Sequence, residues 1–169
     1  VNFLKNFGIR DEETVIGPGI NGKMNEFQAA YGLLHLDMVG REIASRGKIA
    51  AVYQRELADV PGISLLPVAQ HTEPNYAYFP IFVDAAAYGW SRDELHAALK
   101  RCNIVARKYF YPLCSRYACY SALPSAHPGN LPIAEQAAEQ VLCLPIHGSM
   151  TEQTASSIAQ VVREIGAVA

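Results

Sequence analysis

Apolar residues recur at helical spacing from Phe27 through Tyr31, Leu34 and Met38, and the same period resumes at Ile43, Ile49, Val52, Tyr53 and Leu57. Arg41, Glu42, Arg46, Lys48, Gln54 and Arg55 fill the outer side. Asn25, with Gln28 three residues on, has the capping-box arrangement at the start. The pattern predicts amphipathic helix, either one long element or two joined near Gly40. Ahead of it, Asp11-Glu12-Glu13, Gly17-Pro18-Gly19 and Asn21-Gly22 are turn chemistry, so residues 11–22 are expected to form a loop. The first residues, Val1 to Ile9, already space their apolar positions for a packed element and read as a cut edge of a larger unit.

Pro61-Gly62 closes the helical stretch. Two short apolar runs follow, Ile63–Leu66 and Tyr76–Val83, and both are expected to be strands. Ser91-Arg92-Asp93-Glu94 is a capping box opening a helix through Leu95, Leu99 and Lys100, after which Asn103–Ala106 returns to extended chain. Residues 118–134 carry no charged side chain but hold Pro124, Pro128, Gly129 and Pro132, so a covered loop is expected there. Ile133–Gln140 reads as a short helix, Val141–Leu144 as a strand closed by Pro145, and Thr151 as the cap of a last helix through Ile158, Val161, Val162 and Ile165. The order α, β, β, α, β, α, β, α indicates an α/β chain, with an α+β small domain whose helices cover a small mixed sheet.

Composition narrows the function. The chain has 169 residues, half of them hydrophobic and 18% charged, with a net charge of −2, which fits one globular domain and gives no footprint for nucleic acid. No run of about 18 apolar residues is present to span a membrane, and no secretory signal opens the chain, so a soluble, cytoplasmic protein is expected. The four cysteines, Cys102, Cys114, Cys119 and Cys143, form no Cys-x-x-Cys pair and lack a matching His pair, which argues against a metal site or a disulfide framework. Reduced, mostly buried thiols are expected.

Two segments could bind a ligand. Gly17 to Lys23 is a donor-rich loop running into a helix N-terminus, which suits an anion such as phosphate; a plain turn explains the same residues, and the spacing is not that of a nucleotide P-loop. Arg107-Lys108-Tyr109-Phe110-Tyr111-Pro112-Leu113 sets two cations beside three aromatics, a pairing suited to an anionic, ring-bearing ligand or to an aromatic edge strand with solvated charges. His35 and His96 fall within helices, whereas His127 and His147 lie in loops and are the two worth testing. Neither Ser121 nor Ser149 has a nucleophile-elbow setting. Asp11, Glu12 and Glu13 read as a solvated run, and Glu135 and Glu139 as one exposed helix face.

The stretch Gly19-Ile20-Asn21-Gly22-Lys23-Met24-Asn25-Glu26-Phe27-Gln28-Ala29-Ala30 resembles the Gly-x-Asn-x-basic-Met-x-Glu-x-Gln-Ala-Ala motif of the DegT/DnrJ/EryC1/StrS sugar aminotransferases. Three further matches follow the family's order: Asn6-Phe7-Gly8-Ile9, Asn103 to Leu113, and Leu144-Pro145-Ile146-His147-Gly148-Ser149-Met150-Thr151. Together they span nearly the whole chain. The resemblance implies the C-terminal part of an aspartate-aminotransferase-like enzyme that uses pyridoxal 5'-phosphate to move an amino group from glutamate to a nucleotide-linked keto sugar. The Gly-Lys form of the first motif, with the Arg107 segment, looks most like the branch making dTDP-4-amino-4,6-dideoxyglucose for surface polysaccharide.

In relatives, the position of Asn21 reaches the cofactor phosphate of the partner subunit in a homodimer. Those of Lys23, Arg107, Lys108, Tyr109 and Tyr111 line the sugar-nucleotide site. Cys114 stands where many relatives carry a substrate-facing histidine. Relatives hold the Schiff-base lysine and the acid facing the pyridine nitrogen in a large N-terminal domain, and Lys5, Lys23, Lys48, Lys100 and Lys108 match none of those positions. The expected organisation is a severed lead-in over 1–22, a connecting helix over 23–58 and a small domain over 59–169. No catalytic residue and no metal ligand are expected in the chain, which is expected to be inactive alone. The alternative is a non-catalytic sugar-nucleotide-binding or dimerisation module that lost its catalytic domain. A fragment should expose a large apolar face where the missing part packs.

Overall fold

The computed structural model describes residues 1–167. Val168 and Ala169, the end of the expected 59–169 domain, lie outside the described residues. The long apolar period forms a single helix, α1 (Glu26–Leu57), with no break at Gly40. Asn25 starts it as expected: the Gln28 amide donates to Asn25 Oδ1 at 2.9 Å and the Asn25 amide donates to Gln28 Oε1 at 3.2 Å. By contact the chain divides into two compact units, Val1–Gly40 and Arg41 onward.

In the first unit, β1 (Ile9–Asp11) and β2 (Thr14–Val15) pair antiparallel. Asp11 Oδ1 accepts the Glu13 amide at 3.2 Å and so closes the turn between them. The chain then returns alongside its own start: Asn6 bridges to Asn21, the Phe7 amide donates to the Ile20 carbonyl, and the Gly22 amide donates to the Lys5 carbonyl. The expected loop over 11–22 is therefore one arm of a hairpin plus a returning segment. Gly8 makes the close approach possible. It sits at φ +75°, where L side chains are strained, and a Cβ there would lie 1.8 Å from the Gly17 carbonyl oxygen; one on Gly19 would lie 2.1 Å from the Gly8 nitrogen.

In the second unit, β3 (Ile63–Leu65), β4 (Phe79–Val83) and β5 (Val141–Leu144) form a sheet in the order β3-β4-β5. Every pairing between these strands is antiparallel, so the parallel component of the expected mixed sheet is absent among the described residues. β4 alternates strictly, with Phe79, Ile81 and Val83 buried and Pro80 and Phe82 half-buried. Ile81 opposes Leu142 and Phe79 opposes Leu144, which sets the core face of the sheet. Against that face pack Ile49, Val52, Tyr53 and Leu57 of α1, and Ala155, Ile158 and Val162 of α5 (Glu152–Ala167). Each large apolar side chain removed from water here contributes about 1.5–3 kcal/mol.

Two helices lie between β4 and the segment after it. α2 (Ala85–Tyr88), missed by the sequence reading, is a single turn capped by the Asp84 carboxylate. α3 (Arg92–Arg101) carries the expected capping box of Ser91 and Glu94. α4 (Pro132–Gln140) packs against β4, and Thr151 Oγ1 accepts the Thr154 amide at the start of α5. The buried Tyr53 hydroxyl donates to the Pro145 carbonyl at 2.9 Å, and burial pushes its ionisation up.

Four expected spans shrink. Leu66 and residues 76–78 are unpaired: the ladder ends at the Leu65–Ile81 pair, and the next positions, Pro80 and Pro67, have no amide to donate. Residues 103–106 form no strand; only Arg107 is reached, by one bridge to Cys143. The 118–134 loop contains short 3-10 turns at Pro124–Ala126 and Pro128–Asn130, and α4 begins inside it at Pro132.

The N-terminal half of α1 has a different character from its C-terminal half. Phe27 is 89% exposed and Tyr31 66%, and Leu33, Leu34, Leu36, Met38 and Val39 are exposed as well. At 100° per residue, positions 33, 34, 36, 38 and 39 point all round the helix, so this half is apolar on every side rather than amphipathic.

Candidate functional site

α3 ends in a turn that delivers the Arg107 segment to the sheet. Asn103 takes the left-handed conformation at φ 59°, tolerable for asparagine, and the Ile104 amide donates back to the Leu99 carbonyl. The chain then exchanges two backbone hydrogen bonds with Cys143, from the Arg107 amide at 3.0 Å and to the Arg107 carbonyl at 2.8 Å. Arg107 is thereby fixed at the edge of β5, with its side chain exposed.

From this edge successive side chains diverge. Arg107 Nη1 donates to the Tyr109 hydroxyl at 2.8 Å. The Tyr109 ring stacks on Phe110 at 4.9 Å and meets Tyr78 edge-on at 5.4 Å. Arg107 and Tyr109 share the wall of a cleft of about 240 Å³ with Ala77, Tyr78, Pro145 and His147. His147 Nδ1 lies 3.0 Å from Ser149 Oγ. The cleft is thus lined by a guanidinium fork, two tyrosine side chains and an imidazole.

Lys108 goes elsewhere. Its ammonium pairs with Asp93 Oδ1 at 2.6 Å, on the first turn of α3. Beside it Arg92 is buried, 4% exposed, and its Nη1 donates to the carbonyls of Ala138 at 2.9 Å and Val141 at 3.2 Å, at the end of α4. Its Nε donates to Asp93, and its guanidinium lies 4.8 Å from the centre of the Tyr111 ring. The Lys108 ammonium, with Arg92 adding to it, holds the Asp93 carboxyl below the usual carboxylate range despite partial burial. Of the four residues expected to line one wall in this segment, Arg107 and Tyr109 share the cleft, while Lys108 and Tyr111 dock on Arg92 and Asp93.

In the first unit, Lys23 Nζ donates to Asn6 Oδ1 at 3.0 Å and sits 4.5 Å from the centre of the Phe7 ring. The Asn21 backbone is bridged to Asn6 and its side chain is exposed. Asn6-Phe7 therefore serves as the platform on which Asn21 and Lys23 stand.

The cysteines and other candidates separate similarly. All four cysteines are free, but Cys102, Cys114 and Cys119 are exposed, against the expectation of mostly buried thiols. They follow α3 or sit in the 113–123 loop, where no second layer covers them. Cys143 alone is buried, and burial pushes its thiol up. His127 Nδ1 accepts the Gly129 amide and serves a turn. Glu135 is half-buried against Arg116, so the exposed face expected for Glu135 and Glu139 holds only for Glu139. Tyr78, Arg92 and Asp93 were not singled out by sequence. The capping box explained Asp93 by its helix alone, and only the fold reveals its second partner.

Residues 1–163 match the model of the DegT/DnrJ/EryC1/StrS aminotransferase family. The chain is 45% identical over 162 residues to a dTDP-4-amino-4,6-dideoxy-D-glucose transaminase of Escherichia coli, covering 96% of this chain and 43% of that protein. A transaminase of the same name from Shigella dysenteriae is 37% identical, with 98% and 44% covered. Among solved structures, DesI in the presence of its TDP-sugar product superposes with a TM-score of 0.86 at 31% identity, over 98% of this chain and 41% of that one. The chain spans less than half the length of these relatives.

Proposed function

Because the chain belongs to the DegT/DnrJ/EryC1/StrS aminotransferase family, we propose that it is the C-terminal portion of a pyridoxal-phosphate-dependent aminotransferase acting on a dTDP-linked 4-keto-6-deoxy sugar, with glutamate as amino donor. Residues 1–22 are the lead-in from the large domain, 23–58 the connecting helix and 59–169 the small domain. The product serves surface polysaccharide, and the enzyme works in the cytoplasm as a homodimer. Among the described residues no helix is long and apolar enough to cross a membrane.

The observation that carries this reading is the pairing of Arg107 and Tyr109, Nη1 to Oη 2.8 Å, on a cleft faced by the Tyr78 ring. A guanidinium fork suits a diphosphate, and the ring faces suit a base or sugar. Arg107 binds the diphosphate charge, Tyr109 orients the fork through its hydroxyl, and His147 with its Ser149 partner closes the cleft's far side.

Pyridoxal phosphate offers a phosphate at one end and a carbonyl carbon at the other, and this chain fits the first. The exposed amide of Asn21 and the ammonium of Lys23, hydrogen-bonded to Asn6 Oδ1, lie on the short segment that leads into α1, groups suited to an anion. Asn21 holds the cofactor phosphate of the partner subunit, and Lys23 turns toward the sugar nucleotide. The second end needs an enclosed amine; Lys5, Lys23, Lys48 and Lys100 are exposed and Lys108 is ion-paired with Asp93. That amine belongs to the large domain, and the chain alone is inactive. When bound, the cofactor supplies the electron sink that transamination requires. The apolar half of α1, Phe27 to Val39, supports the same reading, since an apolar helix exposed on every side is a buried helix lacking its surroundings.

The test uses the full-length protein. Arg107→Ala is expected to weaken thymidine diphosphate binding about tenfold or more, the scale of a lost charge-assisted pair. Asn21→Ala is expected to weaken pyridoxal phosphate and leave thymidine diphosphate affinity within about twofold. Normal cofactor affinity and turnover in Asn21→Ala would remove the role assigned to that residue.

A further inference from the structure

We infer that Asp93, at the first turn of α3, is a positioning residue for the nucleotide-sugar cleft, acting through Lys108 to set where Arg107 and Tyr109 stand. The inference rests on the reading of that cleft given above. After Ala106 the Tyr109 amide donates back to the Arg107 carbonyl at 3.1 Å, a tight turn with Lys108 at its apex. Arg107 and Tyr109 flank that apex, so whatever holds Lys108 sets the orientation of both. What holds Lys108 is the Asp93 carboxylate at 2.6 Å. The segment meets the sheet at the Cys143 bridge, where the Tyr109 backbone also reaches the Cys143 thiol, while residues 103–106 form no strand and Phe110 and Tyr111 are exposed. The bridge and the contact of Tyr109 with Tyr78 hold one side of the segment, and an anchor on the opposite side fixes its orientation.

The anchor itself is rigid. Arg92 is buried and donates two hydrogen bonds to carbonyls at the α4–β5 junction, Ala138 and Val141, while also meeting Asp93. The carboxylate that receives Lys108 is therefore tied to α3, α4 and β5 together. The Tyr111 ring lies on the same guanidinium, so the segment is pinned on both sides of Tyr109. Lys108 and Tyr111 accordingly support the binding wall and do not contact the diphosphate.

Two simpler roles compete. Asp93 could serve only the N-terminus of α3, whose dipole an acid in the first turn favours. Alternatively Lys108 could reach the diphosphate itself, with Asp93 as its resting partner. Affinity for thymidine diphosphate, read beside melting temperature in the full-length protein, separates them. Asp93→Asn and Lys108→Met are each expected to raise the dissociation constant about fivefold to tenfold, with the double variant no weaker than either single one, because each breaks the same link. In turnover the loss falls on KM, with kcat within about twofold, since the diphosphate is remote from the transferred amino group. Asp93→Glu and Lys108→Arg, which keep the pair, are expected to stay near the parent.

A fall in melting temperature with unchanged affinity in Asp93→Asn overturns the inference in favour of the α3 role. Unchanged or tighter binding in Asp93→Asn beside weaker binding in Lys108→Met overturns it in favour of direct contact. Should Asp93→Asn fail to fold, Lys108→Met and its arginine counterpart decide alone: no loss in the first, or no recovery in the second, overturns it. Arg107→Ala is the control. If it leaves affinity unchanged, the cleft is not the site and the inference falls with that reading; if it weakens binding while Asp93→Asn does not, the inference alone falls.

Discussion

Tyr88 couples α2 to the end of the last helix, and replacing it with phenylalanine gives a stability change whose dependence on pH has a definite sign. The ring is 2% exposed and its hydroxyl donates to the Val162 carbonyl at 2.6 Å. Tyr88→Phe keeps the ring and removes the hydroxyl's bonding to the α5 backbone at Val162 and Gly166, which near neutral pH costs about 1 kcal/mol. Burial pushes the Tyr88 hydroxyl from 10 up to about 12. Below pH 10 folded and unfolded chains both keep the proton, and the full stabilisation is present. Above it the unfolded chain ionises first, so stability is lost as pH rises toward the folded value.

At about pH 11 the loss from this one group is on the order of 1.4 kcal/mol, since the unfolded hydroxyl is then about ten parts ionised to one and the folded one about one part in ten. The variant lacks that loss. Urea unfolding of parent and variant at about pH 7.5 and about pH 11 should therefore show the parent ahead by about 1 kcal/mol at the lower pH and level or slightly behind at the higher. Tyr53, also buried and pushed up, is present in both proteins and cancels in the difference. An equal gap at both pH values would refute the reasoning.

Gly19→Ala places a Cβ 2.1 Å from the Gly8 nitrogen, so backbone must shift; hydrogen exchange should show amides of residues 6–22 losing protection by about 1–3 kcal/mol while those of β4 and β5 are unchanged. Arg107→Lys keeps the charge but not the fork that meets the Tyr109 hydroxyl, and thymidine diphosphate binding measured by calorimetry should weaken about fivefold or more; parental affinity would deny the fork any role. The Asp93 carboxyl, held below its ordinary 3.8 by Lys108, contributes stability that is present above that value and lost as pH falls through the lowered one. Melting curves at about pH 5 and pH 3 should show a shallower acid decline in Asp93→Asn than in the parent.

The elements themselves were legible because they are local. The capping boxes at Asn25 and Ser91, the Thr151 cap and the alternation of Phe79, Ile81 and Val83 depend on residues a few positions apart, and each stands where the sequence puts it. The ordered motifs also carried the family: Asn6 to Ile9, Gly19 to Ala30, Asn103 to Leu113 and Leu144 to Thr151 all lie within residues 1–163, which match its model. Signals that depend on chain meeting chain were not available. Residues 11–22 read as loop because glycine and proline mark turns, while their pairing with residues 4–9 arises only when the backbone returns. The all-antiparallel sheet, the single bridge at Arg107 and the exposure of three cysteines were decided in the same way, by which segments the fold lays side by side or leaves uncovered.

The candidate site divides along that line. The sequence by itself determined that two cations and three aromatics lie within a few residues of one another after α3, because covalent neighbours cannot separate. Only the tertiary structure decided that Arg107 and Tyr109 face the cleft while Lys108 and Tyr111 turn to Arg92 and Asp93. The reason is that side-chain direction in a segment without regular secondary structure follows its anchors, and those anchors, Cys143, Asp93 and a guanidinium tied to Ala138 and Val141, come from other elements of the fold.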